Sequence, residues 1–247
     1  MASFQRGTAD LNAMEPIALQ HGLGDFDDVV VRICRVDRSL HDARHFLDLG
    51  IEYPGTLGTA VDQRRAEFLA GRRCAQSALD TLGCERQPVH VGLDGAPVWP
   101  DGYHGSISHC AKWACAAVAR GSGPGLGVDC ESIMGVETWE DVVGVVADPA
   151  ELASSLGTFD CPLVALTVIF SAKESAYKAL SPEYRPGCEF LSFRVTFTDR
   201  TAGFLAVTDL RRKGPEACFP GLHLRLDESH VLTLVSSPKH TADFTIR

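Results

Sequence analysis

Two stretches about a hundred residues apart share one plan and limit what this chain can become. Phe68-Leu69-Ala70-Gly71-Arg72 and Phe170-Ser171-Ala172-Lys173-Glu174 each begin with an aromatic ring and run into small residues. Each lies inside a long helical pattern, and a run of strand-like segments follows each. The first helix is expected over residues 61–82, with Phe68, Ala75, Leu79 and Leu82 on its core side and Gly83 closing it. The second takes Asp160 as its cap, Pro162 in its first turn and apolar contacts from Leu163, Leu166, Ile169, Phe170, Ala176 and Leu180, and Pro182 stops it. A helix-plus-strands unit met twice implies an α+β fold: a pseudo-twofold pair of similar α+β lobes, each a small, mainly antiparallel sheet with a long helix, and a cleft between them where ligands bind. The chain of 247 residues suffices for two small cores. Its best linker, Gly121-Ser122-Gly123-Pro124-Gly125, divides an N-terminal lobe of residues 1–122 from a C-terminal lobe of residues 123–247.

Around these helices the pattern is coarser. Residues 1–27 lack periodicity and read as a poorly ordered lead-in. An apolar strand is expected over 28–34, and a short helix over 39–49 with Ser39 as N-cap and Gly50 at its end. Asp94-Gly95 makes a hairpin turn between 88–91 and 97–99, and strands over 105–110 and 113–119 meet at Ala111-Lys112. Loop and short helices fill 134–156, with Asp148 as a cap before Pro149. The tail alternates as strands over 190–198, 204–207, 222–226 and 231–235, where His223 and His230 read as surface or edge-strand residues rather than ligands.

The chemistry concentrates in Gly125-Leu126-Gly127-Val128-Asp129-Cys130-Glu131. As a strand, its period of two puts Asp129 and Glu131 on one face, their Cα atoms roughly 6.5–7 Å apart, so that one hard divalent cation takes an oxygen from each. A third carboxylate comes from the second helix, where Glu174 and Lys178 share a face at i,i+4 and Lys173 flanks them. Three carboxylates and two lysines suggest Mg²⁺ holding a polyphosphate. Taken singly, Asp-x-Glu is most often a solvated strand edge and Lys-Glu-x-x-x-Lys a water-facing stripe, but the apolar, glycine-spaced approach to these acids is that of a buried strand. Two further elements have the same double reading. Arg64, Arg65, Arg72 and Arg73 fall within ten residues, either a solvated face with Asp62 and Glu67 or a phosphate-binding patch. In Ser106-Ile107-Ser108-His109, Ser108 and His109 at a strand end either bind phosphate or stay structural.

Composition removes several classes. A net charge of −9 disfavours general nucleic-acid or anionic-membrane binding, and of only five lysines two are Lys173 and Lys178. Nine cysteines, odd in number and without a CxxC pair, read as reduced thiols in a cytoplasmic protein. No apolar run approaches 18 residues, and the first residues lack a signal-peptide core.

Together these motifs resemble the 4′-phosphopantetheinyl transferases, specifically the larger single-chain class serving siderophore, polyketide and fatty-acid synthases. The family's Gly-Val-Asp-x-Glu is met at 127–131, its Trp/Phe-Ser-x-Lys-Glu-Ser/Ala-x-x-Lys at 170–178, its Ser-Ile/Leu-Ser/Thr-His at 106–109, and the arginine helix resembles the stretch that precedes them in siderophore-associated members. The resemblance spans residues 64–178 and implies transfer of the phosphopantetheine arm of coenzyme A to a serine of an acyl or peptidyl carrier protein, with release of 3′,5′-ADP. It implies that Asp129, Glu131 and Glu174 hold Mg²⁺ against the pyrophosphate. Arg64, Arg72, Ser108, His109, Lys173 and Lys178 would contact coenzyme A phosphates. Glu131, Glu174 and Lys178 are the candidate catalytic groups, with Glu131 as acceptor of the serine proton. Coenzyme A phosphate contacts would come from the N-terminal lobe, the metal site from the C-terminal lobe.

The sequence departs from the family in two places. Many relatives carry a basic residue near the turn that here reads Leu93-Asp94-Gly95-Ala96-Pro97, and Cys130 replaces a commoner aliphatic residue. Arg65 and Arg73 are expected to help dock acidic carriers. One chain with both lobes needs no second copy to complete the cleft, so a monomer is expected. The rival readings are a Mg²⁺-dependent phosphohydrolase or nuclease and a non-catalytic module that binds carrier proteins or coenzyme A.

Overall fold

The alternation of helical and strand-like stretches becomes two antiparallel sheets, each crossed by one long helix. The structure is a computed structural model and describes residues 14–19, 26, 28–85, 87–123, 125–199 and 202–238. In chain order the elements are β1 (Ile17–Ala18), β2 (Val29–Arg35), α1 (Ala43–Asp48), α2 (Asp62–Thr81), β3 (His90–Val91), β4 (Pro97–Val98), β5 (Tyr103–His109), β6 (Trp113–Arg120), β7 (Leu126–Ser132), α3 (Val136–Val146), α4 (Pro149–Ser155), α5 (Pro162–Ala179), β8 (Phe193–Asp199), β9 (Phe204–Asp209), β10 (Cys218–Asp227) and β11 (His230–Ser236). One sheet has the order β1-β2-β6-β5, the other β7-β11-β10-β9-β8, and β3-β4 stands apart as the expected hairpin with Gly95 at positive φ. The expected α+β architecture is present, with a long helix on an antiparallel sheet occurring twice.

Small residues let each helix lie close to its sheet. α2 buries Ala66, Ala70, Cys74 and Ala78 against β6, where Ala114 and Ala116 are fully buried. The contact of α5 with β7 is closer still. A Cβ on Gly127 would stand 1.7 Å from the Ser175 carbonyl oxygen, and one on Gly125 2.1 Å from that of Ala179. Only glycine allows main chain to meet main chain at that separation.

The two sheets share a core: Val31, Ile33, Cys115 and Ala117 of the first cluster with Val128, Cys130, Leu232 and Leu234 of the second. A polar clamp joins them as well, since Asp227 Oδ2 accepts from Lys112 Nζ at 2.8 Å and Trp113 Nε1 at 3.1 Å.

Several local expectations are corrected. Met14 and Phe26 are buried and β1 pairs with β2, because the apolar residues of the lead-in cover the sheet edge. Residues 1–13, 20–25 and 27, and Pro124 of the linker, lie outside the described residues. The N-cap of α1 is Asp42, not Ser39, whose side chain and N–H are both held by Asp37 Oδ1. Cys161 rather than Asp160 occupies the cap of α5, while Pro162 does open the helix. A 3₁₀ turn, Phe190–Ser192, precedes β8. β10 is interior, so His223 packs between Phe159 and Phe197, and burial alone pulls its pKa down to about 4. His230 is buried and bonded to Asp227.

Candidate active site

β7 carries Asp129 and Glu131 on alternate positions, opposite Thr233 and Val231 of β11. The Asp129 side chain is buried and accepts three hydrogen bonds. Ser108 Oγ (2.8 Å) and Lys178 Nζ (2.7 Å) reach Oδ1, and Ser171 Oγ (2.8 Å) reaches Oδ2. Behind it Thr233 Oγ1 meets Ser171 Oγ at 2.9 Å and Ser175 Oγ at 2.8 Å. Donors from β5 and α5 thus fix a single carboxylate at the seam of the two sheets, Thr233 of β11 backs the α5 hydroxyls, and each hydroxyl finds a partner.

Lys178 Nζ also reaches Ser108 Oγ at 3.0 Å and the Val128 carbonyl at 3.2 Å. Burial opposes its charge, but Asp129 more than compensates and the ammonium pKa rises. Glu131 and Glu174 are different. Neither side chain makes a hydrogen bond or ion pair among the described residues. Burial, then repulsion from Asp129, raises both carboxyls, Glu131 to about 8 with a further push from Glu174. Asp129, Glu131 and Glu174 therefore lie in one another's field. They are not assembled as a cage: among the described residues no three Asp, Glu, His or Cys side chains converge as a metal-ligand set, and Asp129 faces Lys178 instead.

Across the seam, His109 ends β5. Its Nε2 contacts Arg64 NH1, and its Nδ1 lies 3.3 Å from Glu67 Oε2. Burial and Arg64 pull the imidazole pKa down, with Glu67 and Asp129 opposing and Lys178 adding to the fall. A cavity of about 650 Å³ opens beside Lys178, lined by Asp94 and Trp99, by Ser106 of β5, and by Tyr177 and Arg185. On the other side of Tyr177 a slot of about 220 Å³ is lined by Glu174, Cys188, Phe190 and Phe193.

Residues 54–119 match the family profile described as 4′-phosphopantetheinyl transferase N-terminal domain, and residues 125–235 the one described as 4′-phosphopantetheinyl transferase superfamily. Enterobactin synthase component D of Escherichia coli is 39% identical over 150 residues, 60% of this chain and 68% of that protein. This chain belongs to the 4′-phosphopantetheinyl transferase superfamily. The namesake protein of Salmonella typhimurium is 42% identical over 152 residues, and the 4′-phosphopantetheinyl transferase PptT of Mycobacterium tuberculosis 34% identical over 149. Each alignment covers 60% of this chain, and it spans 61% of the Salmonella protein and 65% of the Mycobacterium protein, under two thirds of either.

Within this phosphopantetheinyl transferase fold the residues singled out from sequence divide into two sets. Arg64, Ser108, His109, Asp129, Glu131, Glu174 and Lys178 gather at the seam. Lys173 does not join them, and its expected phosphate contact is corrected: its ammonium is buried on Glu151 Oε2 at 2.7 Å and the Val146 carbonyl at 2.8 Å. Arg72 stands apart too. It is buried, donates to the His90 carbonyl at 3.3 Å, lies 4.8 Å over the Phe68 ring, and its Nε has no partner among the described residues. Burial lowers its pKa to about 10, with Arg64 adding and Glu52 opposing. The arginines expected to dock carriers are tied down, Arg65 to the Leu57 and Gly58 carbonyls and Arg73 to Glu15. Sequence reasoning missed Ser171, Thr233 and Glu151. It placed Glu67 only as a companion of the arginine stripe, although the i,i+3 spacing from Arg64 already put it on that face.

Proposed function

We propose that this protein transfers the 4′-phosphopantetheine arm of coenzyme A to a serine hydroxyl of an acyl or peptidyl carrier protein, releasing 3′,5′-ADP. The site lies between an N-terminal lobe of residues 1–122 and a C-terminal lobe of residues 123–247. One observation carries the reading: a buried carboxylate held from β5 and α5, with two further acids in its field that make no ion pair among the described residues, and with its partner Lys178 lining a cavity large enough for a nucleotide. That donor set suits a hard divalent cation. Asp129, Glu131 and Glu174 would hold Mg²⁺, which when bound supplies positive charge against the pyrophosphate.

The chain's own groups do the rest. Lys178, Arg64, Ser108 and His109 point cationic and hydroxyl donors at coenzyme A phosphates, and phosphoryl transfer is largely such positioning. Arg72, with its free Nε, can serve a phosphate that reaches the β3–β4 hairpin. The mainly apolar slot beside Glu174 suits the extended pantetheine arm. Glu131 accepts the serine proton on a carboxylate oxygen. A cytoplasmic, monomeric enzyme belongs to the same proposal, with buried thiols such as Cys34, Cys74 and Cys115 acting as small apolar residues.

Intact-mass measurement of an apo carrier protein after incubation with coenzyme A and Mg²⁺ tests the reaction. A gain of one phosphopantetheine, lost in Asp129→Ala and Glu174→Ala, is expected. Hydrolysis of coenzyme A with an unmodified carrier would instead make the protein a phosphohydrolase, and binding without turnover a carrier-protein or coenzyme A binding module.

A further inference from the structure

His109 sits between a donor and an acceptor that favour one tautomer of its ring. An arginine guanidinium only donates and a carboxylate only accepts, so Arg64 Nη1 on the Nε2 side and Glu67 on the Nδ1 side favour a lone pair on Nε2. In the neutral ring the proton is then on Nδ1, and it faces Glu67 Oε2 at 3.3 Å. Glu67 is itself held from behind. Its Oε1 accepts from Gln63 Nε2 at 2.7 Å, and the same amide donates to the Ala111 carbonyl at 3.1 Å, in the turn that follows His109. The Glu67 side chain is only 14% exposed and that of His109 27%.

We infer that Glu67 is a positioning residue for phosphate binding: it holds Nδ1–H of His109 so that Nε2 faces the cleft, and it lets the ring accept a second proton when a phosphate oxygen takes the place of Arg64. The inference rests on the phosphate-binding reading of Arg64 and His109 given above. The charged groups facing the ring are Arg64 and Glu67 on α2, Lys178 on α5 and Asp129 on β7. Burial and Arg64 outweigh the two carboxylates, which keeps the ring neutral. A bound phosphate draws the Arg64 guanidinium to itself and adds negative charge, so the balance reverses. One proton then moves from solvent to Nε2, which donates to the phosphate, while Nδ1–H remains on Glu67. Without Glu67 the imidazolium would lose the acceptor behind it.

Two measurements on the full chain test this. Calorimetric titration with coenzyme A at pH 7.5, in buffers of different ionisation enthalpy, reports protons taken up on binding. Wild-type protein is expected to take up protons. Glu67→Gln is expected to bind about tenfold more weakly, equivalent to one pKa unit on His109, and to take up fewer. Glu67→Asp should regain part of both, and His109→Gln should lower the uptake. A structural role alone would weaken binding without altering proton uptake, and that result overturns the inference, as does unchanged affinity in Glu67→Gln. If the variants do not fold, imidazole ¹⁵N shifts of the wild-type protein decide: Nδ1–H in the empty protein and a doubly protonated ring with coenzyme A support it, and Nε2–H in the empty protein overturns it. A wild-type protein that binds no coenzyme A would defeat the phosphate-binding reading first. Binding with an unaltered proton count in Glu67→Gln defeats this inference alone.

Discussion

Two lysines five residues apart on α5 each meet a carboxylate at 2.7 Å, in opposite settings. In Lys173–Glu151 the side chains are 0% and 1% exposed, and backbone completes the pair: Lys173 reaches the Val146 carbonyl, and Glu151 Oε1 accepts from Val195 N–H at 2.6 Å. This pair stitches the end of α3, α4, β8 and α5 together. In Lys178–Asp129 the lysine is 28% exposed and borders the large cavity, and two under-neutralised acids lie nearby. One helix thus holds a sealed pair that serves the fold and an open pair whose cation can be shared with a ligand. Desolvation makes the difference, because a buried ion cannot trade partners without leaving a bare charge.

Breaking the sealed pair should give the largest change. Lys173→Met leaves Glu151 buried and unpaired, a loss of about 3–5 kcal/mol, which thermal unfolding should register as a sharp fall in Tm. The double variant Lys173→Met with Glu151→Leu should recover much of it. A Lys173→Met protein with unchanged Tm and abolished carrier modification would break the contrast and return Lys173 to the site. At the open end the order inverts. Lys178→Met should lower kcat on the order of 10²-fold, as for loss of a charge-stabilising donor, with a stability change of about 1 kcal/mol.

The third prediction uses pH. Glu131 is pushed from 4.5 up to about 8 in the folded protein. The folded state therefore binds its proton more tightly than the unfolded chain. The stability gained this way is complete below about pH 4.5 and is lost as pH rises toward 8. Melting without metal should fall through that window, Mg²⁺ should offset the fall most at its alkaline end, and Glu131→Gln should flatten it. Equal slopes in wild type and Glu131→Gln would show that the open end carries no excess negative charge. Smallest of all, Ser171→Ala removes one of three donors to Asp129 and should cost about 1 kcal/mol in denaturant unfolding, leaving Lys178 in place.

What sequence could and could not show follows from the range of each interaction. Asp129 and Glu131 share a face by strand period, and Glu174 and Lys178 by one helical turn, so local geometry suffices. The error over Lys173 had a local warning: at about 100° per residue it points roughly 140° away from Lys178. Its partner Glu151 lies in a segment readable only as loop and short helix, and nothing in spacing joins the two. Thr233 became legible only once β11 was paired with β7 in register, a tertiary fact. The cap of α1 went to Asp42 because Ser39 found a nearer partner in Asp37, a competition that composition does not rank.

Gly127 carries no charge, yet it sets the scale of the charged site. Because the Ser175 carbonyl rests where its side chain would begin, an alanine there would wedge the helix away from the strand. Glu174 and Lys178 ride on that helix and Asp129 and Glu131 on that strand, so one added methyl would spread acids and ammonium apart while every ionisable residue stayed intact. The position least visible to a search for reactive groups is thereby the one where a conservative-looking change would retune them all at once.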